Sequence, residues 1–234
     1  MAADRAPLHV IGAGGHARVL ADCARRAGFT VAAFVDRAEP GGADRAPDGT
    51  PILEEEAFLA RIESGSGPIQ IALGLGENGQ RHRLAGVYER AGKGRLAFPA
   101  IVDPTAVVGH GVVVEPGAVV MAHAVLNAGA RVGKFSVVNT GAIVEHDGII
   151  GPYAAVAPGA CLGGGVRLGE GAFVGLGANV IQGVTVGAHA VLGAGAVAIR
   201  DIAAEVVAIG VPARVCRAHA PWAPVLSRAR GDGG

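Results

Sequence analysis

The 234-residue chain balances 20 Lys plus Arg against 20 Asp plus Glu, so it lacks the basic footprint that neutralises a nucleic-acid backbone. It contains no run of 18 apolar residues and no leader with an apolar core and cleavage site, so no membrane partner is expected and the predicted compartment is the cytoplasm. With 39 Gly, six Phe, two Tyr, one Trp and half of all residues apolar, it asks for a folded interior built from small aliphatics.

Leu8 to Val19, LHVIGAGGHARV, reads as a short strand, a glycine turn and a helix, and Gly12, Gly14 and Ala17 fit the G-x-G-x-x-G/A pattern of a dinucleotide-binding turn. Beyond it the pattern predicts a helix over His16–Ala27, a strand over Val31–Val35, a helix over Glu54–Ile62, a strand over Ile69–Leu73 and a helix over Gln80–Ala91. Asp36 follows the second strand, where a dinucleotide fold keeps its ribose-binding acid. These elements make a βαβαβ half-Rossmann unit over residues 1–99. It is one mononucleotide half, with no second half to seat a nicotinamide, so the turn is read as holding a single nucleotide with its phosphate at the helix N-terminus.

From Val102 an aliphatic recurs at every sixth position through Val108, Val114, Val120 and onward to Leu192, sixteen times without a slip. Two residues earlier sits a small residue, as at Ala118, Ala124, Ser136 and Ala154. Neither a 3.6-residue helix nor a period-two strand does this, whereas a β-helix of short strands and tight corners does. Cys23, Cys161 and Cys216 are far apart and in no CxxC spacing, which predicts buried small residues rather than disulfides or a zinc knot.

These hexads resemble those of the left-handed β-helix acyltransferases, which implies 18-residue triangular coils over residues 100–219 and a homotrimer. A nucleotide-binding half followed by such a helix resembles, over nearly the whole chain, the bacterial sugar O- and N-acyltransferases of the sialic acid O-acetyltransferase type, including the N-acetyltransferases of nucleotide-linked 4-amino-4,6-dideoxy sugars. IGAGGHA, Asp36 and the strand end Ile71 to Gly74 carry that likeness in the first half, and NTGAIVEHDGIIG and GVPARV in the second. By the resemblance Gly14, Gly15, His16, Asp36, Arg37 and Gly74 line a nucleotide-sugar site. His146 is the general base, Asp147 supports it in place of the family's frequent glutamate, and Asn139 orients the substrate. Acetyl-CoA is the cosubstrate, contacting Ala155, Gly164, Leu176 and Ala194, with Arg214 and Arg217 at its phosphates. The family's setting is cell-surface polysaccharide biosynthesis, and no metal is expected. Residues 220–234 read as a flexible tail.

Adjacent side chains on a strand point opposite ways, so a His146 to Asp147 contact requires a corner, and Glu145 is an alternative partner. With 18 residues per coil, His110, Ala128, His146, Gly164 and Gln182 form one column, in which the small Ala128 and Gly164 leave room beside the imidazole. The Gly164 N–H is then placed to bind the thioester oxygen as negative charge develops. Two other chemistries fit parts of the pattern. A hydroxyl acceptor such as a sialic acid would use the same residues. A β-helix metal hydratase would share the 36-residue gap between His110 and His146, but its third ligand falls at Gly151. A noncatalytic trimer scaffold is a third reading, against which Asn139, His146 and Gly164 speak.

Overall fold

The computed structural model describes residues 6–37 and 44–226. The first half alternates strands and helices: β1 (Leu8–Ile11), α1 (Gly15–Arg26), β2 (Val31–Asp36), β3 (Ile52–Glu54), α2 (Glu55–Ser64), β4 (Ile69–Leu73), α3 (Asn78–Gly92) and β5 (Leu96–Ala97). All strand pairs are parallel, in the order β3-β2-β1-β4-β5. The half-Rossmann expectation holds, with two short strands, β3 and β5, added to the three expected. β3 and β5 were missed because three and two residues are too short for an alternating pattern to declare itself. The order reverses between β1 and β4, which opens a crevice outside their carboxyl ends, the usual ligand position in such sheets.

From Ile101 the chain winds into seventeen two-residue strands, β6 (Ile101–Val102) to β22 (Val197–Ala198), one every six residues. Each pairs in parallel with the strand 18 residues away, so Val125, Ile143, Cys161 and Asn179 stack in register. This is a parallel β-helix with three flat faces. Its core is the hexad column and the small residues before it, from Ala118 and Val120 to Leu192, packed in one cluster. Only the first coil departs from expectation. Val108 is 47% exposed, and Val102 and Val114 are half-buried, because no coil lies beneath them.

One face, with Ile101, Val119, Val137, Ala155 and Phe173 pointing outward, is covered by Ala17, Leu20, Cys23 and Ala24 of α1. At the edge of that joint Arg26 Nε donates to the buried Asp103 carboxylate at 2.8 Å. The helix closes with β23 (Val206–Ile209) and the antiparallel β24 (Arg214–Ala218). The cysteine expectation needs correction as well: all three are free, but only Cys23 is buried, and Cys216 is exposed.

Candidate functional site

Gly12 leaves β1 with φ +95°, a left-handed conformation that glycine adopts without strain. The chain then reaches Gly14, the N-cap of α1, which has no side chain to cap the helix and no acid in its first turn. Gly14 and Gly15 are exposed, and a methyl at Gly14 would meet no protein atom. This helix start thus offers unpaired N–H groups and a positive dipole end to an anion. Asp36 holds the turn: its carboxylate accepts the Ala13 N–H at 2.7 Å and the Arg37 N–H at 2.8 Å. His16 is half-buried, and its Nε2 is buried without a partner. Desolvation, helped by the nearby Arg81 charge, pulls its pKa down to about 4, so the ring is neutral at physiological pH.

A cleft of about 210 Å³ opens beside Asp36, walled by Gly12, Arg37, Glu55, Leu75, Gln80 and Arg83 among others. Gly14, Gly15 and His16 lie on the adjoining turn rather than in this lining, and Gly74 does not line it either. It is buried where a Cβ would sit 2.6 Å from Ala17 Cβ, so this glycine lets α1 pack on the sheet, and its expected place in the lining is corrected.

His146 and Asp147 occupy a corner of the β-helix. Asp147 takes φ +58°, which turns its side chain back onto the ring it follows, so its Oδ2 lies 2.9 Å from His146 Nδ1. Glu145 instead accepts the His146 backbone N–H at 3.2 Å, which makes Asp147 the carboxylate on the ring. The imidazole is 64% exposed, and the bond from Asp147 raises its pKa. The corner column exists: Asp147 N–H donates to Ala128 O, Gly165 N–H to His146 O, and Gly183 N–H to Gly164 O. The room beside His146 is not open, however. A Cβ on Gly164 would lie 2.4 Å from His146 Nε2, so the ring itself fills the space that glycine leaves.

Asn139 stands elsewhere. It precedes the next corner upstream, across a flat face from His146, and accepts the Thr140 N–H at 2.8 Å. Leu176, 56% exposed, and the exposed Ala194 stack on that same corner line, where Gly195 N–H donates to Leu176 O. The closing segment runs beside it, with Gly193 N–H bonded to Ala208 O and Ala213 N–H to Val197 O, so Arg214 leaves from that edge. Ala155 is buried at 5% beneath α1, and its expected coenzyme contact is corrected to a packing role.

Three features of the joint escaped the sequence reading. Arg81 is fully buried, and its guanidinium donates to the carbonyls of Leu75, Gly76, Phe135 and Tyr153. Burial lowers its pKa to about 10, so it stays charged at neutral pH. The signal was present: Arg81 shares the buried stripe of α3 with Leu84, Ala85 and Tyr88, where a charge is unusual. Asn78 adds a bond to Gly171 O at 2.9 Å. Residues 222–226, in the segment expected to be a flexible tail, pack against the first half. Trp222 stacks on His82 at 4.0 Å and meets Tyr153 and His189, while Glu77 accepts the Val225 and Leu226 N–H groups. The remaining residues, 227–234, lie outside the described ones.

Residues 7–87 match the family model of the PglD N-terminal domain. No curated protein matches the chain in sequence. Among solved structures, a histidine-to-asparagine mutant of perosamine N-acetyltransferase from Caulobacter crescentus, in complex with CoA and GDP-perosamine, is 36% identical. It superimposes with a TM-score of 0.80 over 90% of this chain and 96% of its own. The acetyltransferase domain of PglB from Neisseria gonorrhoeae FA1090 is 32% identical, with a TM-score of 0.80 over 91% and 100%. WeeI from Acinetobacter baumannii AYE is 25% identical, with a TM-score of 0.78 over 91% and 100%.

Proposed function

This chain belongs to the sugar acyltransferases of the hexapeptide β-helix type, and on that footing we propose that it transfers the acetyl group of acetyl-CoA to the amine of a nucleotide-linked 4-amino-4,6-dideoxy sugar. The observation that carries this reading is the His146 corner: Asp147 occupies Nδ1, which leaves Nε2 as an unpaired acceptor on an exposed ring. The nucleotide sugar is held by the helix start at Gly14 and Gly15, by His16, and by Asp36 and Arg37. The amine nitrogen attacks the thioester carbonyl while Nε2 accepts its proton. The C–S bond then breaks, and the imidazolium returns the proton to the departing thiolate. Asp147 fixes the tautomer and stabilises the imidazolium. The Gly164 N–H, for which no group among the described residues is an acceptor, is assigned to the developing oxyanion.

Leu176, Ala194, Arg214 and Asn139 stand on a different corner line from His146, so one chain alone does not gather coenzyme, substrate-orienting and base groups. A homotrimer in which the His146 corner of one copy meets the Asn139 edge of the next would complete the centre. The face between those two corners supports this, since the apolar Val107, Val125, Ile143 and Cys161 point outward from it and none of them is buried within the single chain.

The test is thiol release from acetyl-CoA against a panel of nucleotide-linked 4-amino-4,6-dideoxy sugars and free sialic acid, with His146→Ala in parallel. Release with an amino sugar, lost by about 10² or more in the variant, supports the assignment. Release with sialic acid alone moves the reaction to O-acetylation, and no release with any acceptor overturns it.

A further inference from the structure

The cleft beside Asp36 carries charges in a pattern that selects a base. A base attached to a ribose at Asp36 lies within one sugar's length of that carboxylate, and the 210 Å³ cleft is what opens there. Asp36 and Glu55 line it and Glu54 precedes Glu55, and two of these three carboxylates already hold backbone N–H groups. Asp36 accepts backbone N–H groups of the glycine turn, and Glu54 caps α2 by accepting Glu56 N–H at 3.0 Å and Ala57 N–H at 2.7 Å. Glu55 is the third. Its side chain is only 14% exposed, its nearest cation is Arg37 Nε at 3.5 Å, and the Tyr88 hydroxyl adjoins it. Arg83 and Gln80, both exposed, also line the cleft.

Resting on the nucleotide-sugar reading above, we infer that the cleft binds guanine, with Glu55 as the residue that reads it and Arg83 on its other edge. Guanine presents N1–H and N2–H₂ side by side, two parallel donors that match the two oxygens of a carboxylate. Its O6 and N7 are the pair of acceptors to which a guanidinium bonds in bidentate fashion. Uracil and thymine present one N–H flanked by two carbonyl oxygens, so a carboxylate there gains one bond and meets repulsion on either side. Adenine sets a donor beside an acceptor and fits no better.

The experiment is calorimetric titration of the full-length protein with GDP, IDP, UDP and dTDP, with acetyl-CoA binding as the check on folding. GDP should bind about tenfold or more tightly than UDP or dTDP, the discrimination typical of one bidentate pair. IDP lacks only the 2-amino group and should bind several-fold more weakly than GDP, a comparison that needs no substitution. Glu55→Gln should bring GDP and IDP level while leaving UDP unchanged. UDP or dTDP binding as tightly as GDP, IDP matching GDP in the unaltered chain, or a Glu55→Gln loss equal for all four would overturn guanine recognition and leave the nucleotide-sugar reading intact. Binding of acetyl-CoA but of none of the four diphosphates would overturn that reading, and this inference with it.

Discussion

At the scale of single residues, the proposed chemistry rests on two neighbours of one imidazole. Asp147 raises the His146 pKa, so the ring is protonated, and useless as a base, up to a higher pH than an isolated histidine. Asp147→Asn keeps the shape and removes the charge. The acid limb of the kcat/KM profile should therefore move to lower pH while the plateau falls, because the imidazolium formed in the transition state has lost its counter-charge. A limb that stays in place would assign the pH dependence to another group. Gly164→Ala tests the opposite neighbour. The added methyl would collide with Nε2 and must rotate the ring off the corner, yet Gly164 needs no left-handed backbone. Activity should fall at least about tenfold with Tm nearly unchanged, measured by turnover and thermal unfolding side by side. Gly164 was legible in the sequence as a column neighbour of His146, and Asp147 as a partner that a corner would bring to the ring. The ring filling that space was not, because spacing along the chain gives no rotamer.

At the scale of elements, the repeat was readable because each hexad delivers one aliphatic to the same interior line, whatever lies outside it. That logic fails where a coil has no neighbour. Val108 obeys the repeat and is 47% exposed, whereas Leu162, nine hexads on, is fully buried between coils on both sides. Leu162→Ala should therefore cost about 2–5 kcal/mol and Val108→Ala under about 1 kcal/mol, compared by denaturant unfolding. Equal costs would mean that the first coil is covered in the assembled protein. The α/β half was read less completely for a related reason. β1, β2 and β4 are apolar runs, while β3 ends at Glu54, which doubles as the cap of α2 and so reads as the start of a helix rather than a strand.

At the scale of the whole molecule, the two halves are fixed against each other by contacts with no sequence period: α1 on one β-helix face, Arg81 on the carbonyls of two corners, and Trp222 between α3 and His189. Each joins residues more than 30 positions apart, beyond the reach of pattern reading. The same remoteness applies to the proposed catalytic centre. His146 and Asn139 are seven residues apart in sequence yet occupy different corners, and stacked coils give neither a way to approach the other within one chain. If the centre forms between copies, His146→Ala and Asn139→Ala should each impair the homotrimer and yet complement one another. In a ring of three, a mixed trimer has one interface at which an intact His146 corner from one chain meets an intact Asn139 edge from the other. Random assembly from equal amounts of the two chains then restores about a quarter of the wild-type sites. The measurement is acetyl transfer before and after the two inactive proteins are unfolded together and refolded. Recovery near that level requires a shared site. No recovery, with trimers verified as mixed by mass, would place both residues in the service of one chain.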